Sequence, residues 1–126
     1  MKYIIPLLAL FIGGCSTYSS NMRVGNSMDY VSLDVQREAL TTVKQFDTIP
    51  QDAVVIGTVD AARCHRSFME KNPSDHIVLN DLKVAAYSQG ADGIADVLIE
   101  HESGLTKNCW MIVDAQAVMF MLKESN

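Results

Sequence analysis

The sequence predicts an α+β domain: a small mixed β-sheet of about four strands, one long helix packed on a face, and a single disulfide. Three observations carry that expectation. Ala53-Val54-Val55-Ile56-Gly57-Thr58-Val59 is β-branched and almost continuously apolar, the pattern of a central strand buried on both faces. Val78, Leu79, Leu82, Ala85 and Ala86 recur at helical spacing and form one apolar stripe. Cys109 to Leu122 sorts into two faces by period two over a span long for a single strand, which predicts a bend or bulge within it.

The opening residues come first in the chain and decide how the cysteines are read. Met1-Lys2 is a short positive start, and Tyr3 to Ile12 is an apolar run. A helix needs roughly twenty residues to cross about 30 Å of hydrocarbon, so this shorter run fits a secretory signal peptide over residues 1–14. Its end is more specific. Ile12-Gly13-Gly14-Cys15 resembles the bacterial lipobox, an aliphatic residue and two small ones before a cysteine. Small side chains let a peptidase approach the backbone, and the Cys15 thiol accepts a diacylglycerol; several acyl chains then hold a soluble domain where one would not. Ser16 after the cysteine, by resemblance to bacterial sorting rules, points to the periplasmic leaflet of the outer membrane. The competing reading is an ordinary signal peptide with an incidental cysteine. Residues 15–28 read as a lipidated cysteine and flexible polar tether, and residues 29–126 as a globular periplasmic domain.

Within that domain, Tyr30 to Val35 alternates polar and aliphatic positions like a half-buried strand. Gln36 to Thr48 offers a short helical face in Leu40, Val43 and Phe46, and Ile49-Pro50-Gln51-Asp52 is a turn. After the Ala53–Val59 strand, Asn72 is placed as a helix N-cap, Pro73 in the first turn and Asp75 near the positive end of the dipole. Gly90 is placed to close that helix in the left-handed conformation. Ile94 to Glu100 reads as a strand, and Ser103 to Asn108 as a hairpin loop before the last strand. The strand–helix–strand step from Val54 to Ile99 predicts a right-handed crossover to a parallel neighbour, to which the hairpin adds an antiparallel one.

Residues that could carry chemistry are few. With Cys15 assigned to lipid, Cys64 and Cys109 remain, in an oxidising periplasm where disulfides persist. A bridge between them closes a loop of about 45 residues, for which chain entropy gives about 4 kcal/mol. The alternative is a metal site of Cys64, His65 and Cys109 with His101 or His76. Neighbouring Cys and His rarely point to one centre, however, and the chain has no Cys-x-x-Cys or His-x-x-x-His pair. Met111, Met119 and Met121 share one strand face, which favours core packing under the helix over a copper(I) site. Asp114 and Gln116 read as a solvated sheet face, Asp92-Gly93 with Asp96 lacks the ligand density of a calcium loop, and Arg63, Arg66, His101 and Glu102 read as surface charges. No Ser-His-Asp order, nucleophile elbow or phosphate loop assembles. The expectation is a non-enzyme with no catalytic residue, no metal and no cofactor.

Composition narrows the partners. The 126 residues are 48% hydrophobic and 20% charged, with a net charge of −5. Nothing in them resembles the basic stripe that phosphate binding needs, so no nucleic-acid partner is expected. The expected partners are a membrane, through the lipid anchor, and an envelope protein.

The lipobox cysteine, the polar tether, a strand ending in Cys64, a helix closing with Ser88-Gln89-Gly90-Ala91-Asp92-Gly93, a further strand, and Cys109 opening the final strand together resemble the RcsF-like family of outer-membrane lipoproteins, the stress sensors of the Rcs phosphorelay. The domain is also similar to the small YbjQ-like α+β fold, in which a Gly-Ala-Asp follows the helix in the same way. The resemblance implies a non-enzymatic envelope-stress sensor, acylated at Cys15, cross-linked through Cys64 and Cys109, and signalling by contact with a protein partner. Two other readings stand beside it: an accessory or structural lipoprotein without a signalling role, and a YbjQ-like binding module for a metal or small ligand.

Overall fold

The computed structural model of the chain describes residues 21–23, 31–69 and 71–123, the first three as backbone only. The signal peptide over residues 1–14, Cys15, and all of the expected tether except Asn21–Arg23 lie outside the described residues. Those three residues form strand β1, paired antiparallel with the later strand β3 (Val54–His65), so at this point the expected tether is part of the sheet.

The first full element corrects the sequence reading. Within the expected Tyr30–Val35 strand, the described residues from Val31 on do not form one; helix α1 runs Leu33–Thr42. Ser32 caps it, its hydroxyl accepting from the Val35 N–H at 3.5 Å and its carbonyl from the Gln36 N–H at 3.0 Å. Asp34 in the first turn favours the positive end of the dipole, and Gln36, Arg37, Glu38, Ala39 and Leu40 are good helix formers. The buried anchor is Ala39, followed by Val43 at the C-cap, whereas Leu40 is exposed. Strand β2, Lys44–Gln45, follows directly.

The remaining elements are β3, helix α2 (Asp75–Ser88), β4 (Gly93–Ser103), a 3-10 turn (Leu105–Lys107) and β5 (Met111–Met121). The class is α+β with a mixed sheet, as expected, and the described residues hold two helices, the shorter α1 and the longer α2. Strand order is β1-β3-β5-β4-β2, with β5 antiparallel to both neighbours and β2 parallel to β4. This corrects the expected topology: β3 and β4 run the same way but are not neighbours, because β5 inserts between them. β5, at the centre, buries one face from Val113 to Met119 and both ends of the other. Val113, Ala115, Ala117 and Met119 share the main core with Val78, Leu82, Ala85 and Ala86 of α2, and Ile112 and Phe120 are buried on the other face. Met119 alone of the three expected methionines is buried; Met121 is exposed and Met111 half-buried.

The length of β5 is accommodated by its partners. Register shifts fall between Val55 and Gly57 on β3 and between Ala95 and Leu98 on β4, where Asp96 has φ +51°. The Ala53–Val59 stretch is likewise not buried on both faces. Val54, Val55 and Ile56 are exposed, and among the described residues no strand pairs with them on the side away from β5.

Helix α2 has Ser74 rather than Asn72 at its N-cap, two residues later than expected. Its end follows expectation: Gly90 has φ +81°, its N–H reaches the Tyr87 carbonyl, and the Ala91 N–H reaches the Ala86 carbonyl at 3.1 Å. This is a Schellman closure, which satisfies two carbonyls the helix leaves open. The same end meets α1, where a hydrogen bond to Glu38, aided by burial and the carboxylate charge, holds the Tyr87 phenol above its ordinary pKa.

A tight contact locks the opposite face of the sheet. Phe46 and Phe120 meet edge to face with ring centroids 5.3 Å apart. A Cβ at Gly93 would stand 2.5 Å from the Phe120 ring and 3.2 Å from the Lys44 carbonyl oxygen. Phe120 is fully buried and has nowhere to move. Gly93→Ala should therefore cost about 1–3 kcal/mol through overpacking, read as a lower urea midpoint at unchanged slope. Among the described residues no helix is long and apolar enough to cross a membrane.

Candidate functional site

The side chains with unusual environments gather at one end of the sheet, where β3 ends, β4 turns into β5, and α2 begins. Arg63 on β3 was expected on the surface. Instead its Nε and one terminal nitrogen donate to both carboxylate oxygens of Asp81 on α2, at 2.5 and 2.9 Å. Asp81 is only 3% exposed at its side chain and Arg63 16%. The planar guanidinium matches the carboxylate bidentately and ties the helix to the sheet. Nearby, His101 Nε2 lies 2.7 Å from Asp75 Oδ1, but both groups are open to water and the pair contributes little.

The residue after Arg63, next to the last of β3, forms the disulfide. Cys64 and Cys109 are bonded, with Cα atoms 5.6 Å apart and 45 residues of separation. With Ile112 they form a small core on the face opposite α2. The bond removes both sulfurs as thiolate ligands, and with them the alternative metal site through His65 and His101 or His76. Among the described residues no group of three or more His, Cys, Asp or Glu side chains converges as a metal centre would. His65, the last residue of β3, is fully buried, and neither ring nitrogen has a hydrogen-bond partner among the described residues.

The loop between β4 and β5 folds back on the disulfide. The Gly104 carbonyl accepts from Lys107 and Cys109, each at 2.9 Å, and the Trp110 N–H donates to the His65 carbonyl at 2.7 Å. Asn108, with φ +58°, turns the chain into position. Gly104 is required by space: an added Cβ would stand 2.5 Å from the Cys109 Cβ and 2.9 Å from its carbonyl oxygen.

This folding pushes large apolar side chains outward. The Phe68 and Trp110 rings lie 5.6 Å apart, 70% and 52% exposed, with Leu105 and Met69 at 69% and 82%. Leu105 and Trp110 border an open groove of about 320 Å³ that also touches His101, Glu102, Ser103 and Met111. Arg66, Lys71 and Lys107 are exposed in the same two loops. On the far face, Asp114 is half-buried and Gln116 exposed beside Leu98 and Glu100 in a hollow of about 80 Å³, a solvated surface.

The structure thus joins Cys64 to Cys109, while Cys15 lies outside the described residues. Sequence reasoning missed Asp81 and the apolar tip. A carboxylate between Val78 and Leu82 on the apolar stripe was the available signal for the first. For the second it was a lone tryptophan and a Phe-Met pair set in loops. A scan against known protein families finds no model that matches the chain, and no curated protein matches it.

Proposed function

We propose that this chain is an exported lipoprotein, acylated at Cys15 and held at the periplasmic face of the outer membrane, whose domain works without catalysis through contact with an envelope protein, as RcsF-like stress sensors do. The observation that carries this reading is the cysteine arithmetic. The chain has three cysteines, and the Cys64–Cys109 disulfide uses two of them. A disulfide fits an oxidising compartment, and Cys15 is then left to the lipobox that precedes it.

A surface suited to protein contact supports the second half of the reading. Val54, Val55 and Ile56, with Met121 and Leu122, are exposed at the end of the sheet away from the disulfide. The twelve residues of β3 set the two ends about 36 Å apart at the usual rise of a strand. An apolar strand edge of this kind accepts main-chain hydrogen bonds from a partner.

Three measurements test the proposal. Mass spectrometry of the N-terminal peptide should show an acylated Cys15, and Cys15→Ser should release the protein from the membrane fraction. Deletion and overexpression should each shift an Rcs-dependent reporter. An unmoved reporter in both directions overturns the sensor reading and leaves an accessory lipoprotein; an unmodified Cys15 overturns the lipoprotein reading itself.

A further inference from the structure

The proposed anchor and the exposed apolar tip meet at one end of the molecule, and their meeting suggests what covers the tip. β1 is antiparallel to β3, with Asn21 opposite His65 and Arg23 opposite Arg63. The chain therefore enters the domain at the disulfide end and runs away from it. The His65 carbonyl accepts from the Trp110 N–H, so Asn21 and Trp110 flank the same residue. Six Cα steps separate Cys15 from Asn21, a reach of at most about 20 Å.

We propose that Phe68, Met69, Leu105 and Trp110 dock into the headgroup boundary of the leaflet that holds the Cys15 acyl chains. This rests on the lipoprotein reading above. An amphipathic indole beside phenylalanine, leucine and methionine is what the interface between headgroups and acyl chains accepts. The charge of the two loops agrees. Residues 66–71 and 104–110 carry Arg66, Lys71 and Lys107 against Glu70 alone, a balance of +2 in a chain of net −5. Two exposed acidic side chains lie beside the groove, Glu102 at its rim and Asp75 paired with His101. Anionic phospholipid attracts the basic tip and repels the acidic remainder, which orients the domain with its disulfide toward the bilayer. The apolar edge at Val54–Ile56 then faces away from the membrane.

Trp110 is the chain's single tryptophan, so its emission reports the docking directly. The full acylated protein is reconstituted into vesicles of phosphatidylethanolamine and phosphatidylglycerol, with plain or brominated acyl chains. Docking predicts emission about twofold lower in the brominated vesicles, since the quencher lies at the acyl boundary that interfacial side chains reach. Phe68→Ser with Leu105→Ser, two exposed positions, should restore most of that emission at an unchanged denaturation midpoint. Equal emission in plain and brominated vesicles from a protein whose Cys15 is acylated overturns the docking alone; a tip covered by protein instead of lipid gives this result. Quenching that survives the double substitution overturns the assignment of the docking face. A protein without acyl groups at Cys15 overturns the lipoprotein reading, and the docking with it.

Discussion

Asp81→Ala should lower the unfolding free energy by about 3–5 kcal/mol, a large share of the 5–15 kcal/mol typical of a domain. The carboxylate sits on α2 among core residues, almost wholly out of water, and accepts two hydrogen bonds from Arg63. Removing it leaves a guanidinium charge buried against the sheet without its bidentate partner. The loss then includes the desolvation cost left on the guanidinium as well as the strength of the pair itself. Replacing both partners distinguishes the two quantities. Arg63→Met combined with Asp81→Leu should recover most of the stability, because two apolar side chains of similar volume carry no charge to desolvate. A urea-denaturation cycle over the two single variants and the double measures this coupling. An Asp81→Ala loss below about 1 kcal/mol would mean the pair is screened by water as surface pairs are.

Cys64→Ser and Cys109→Ser should each cost about 4 kcal/mol, and the double variant about the same rather than twice as much. All three variants remove one cross-link, and that cross-link closes a 45-residue loop holding α2, β4 and the turn into β5. In the chain-entropy account the effect lies in the unfolded state, which becomes freer once the loop opens. Equilibrium unfolding under oxidising conditions should give matching midpoints for the three, equal to that of the reduced native protein. Strongly unequal midpoints would argue that one sulfur has a further role. Intact mass before and after reduction should differ by two hydrogens.

How much of this was legible in the sequence depends on the range over which each feature is specified. Helix α2 and the left-handed Gly90 were readable because their signals, a stripe at helical spacing and a glycine just past it, lie within a few residues of each other. Tyr30 to Val35 misled because six residues of alternation are too few to outweigh a serine cap followed by strong helix formers. Val54 to Ile56 misled for another reason: a buried strand and an exposed apolar end have the same composition, and only the placement of neighbours separates them. That placement follows from β5 taking the centre, which no local pattern encodes. The Arg63–Asp81 pair spans 18 residues and two elements, so each partner alone reads as an ordinary charge. The disulfide was legible by counting, whereas the tip required knowing that Phe68 and Trp110, 42 positions apart in sequence, become neighbours.

The place of β5 also has a consequence for the order of events during synthesis. It is the last described strand to be made and the one that bonds both β3 and β4, with Val54 opposite Met121. Until it emerges, β3 and β4 have no shared partner, and the contacts that join them span most of the domain. High sequence separation of this kind delays folding. A nascent chain therefore cannot close its sheet before residues 111–121 are released. Placing the central strand late thus leaves β3 and β4 without their common partner until most of the domain has been made.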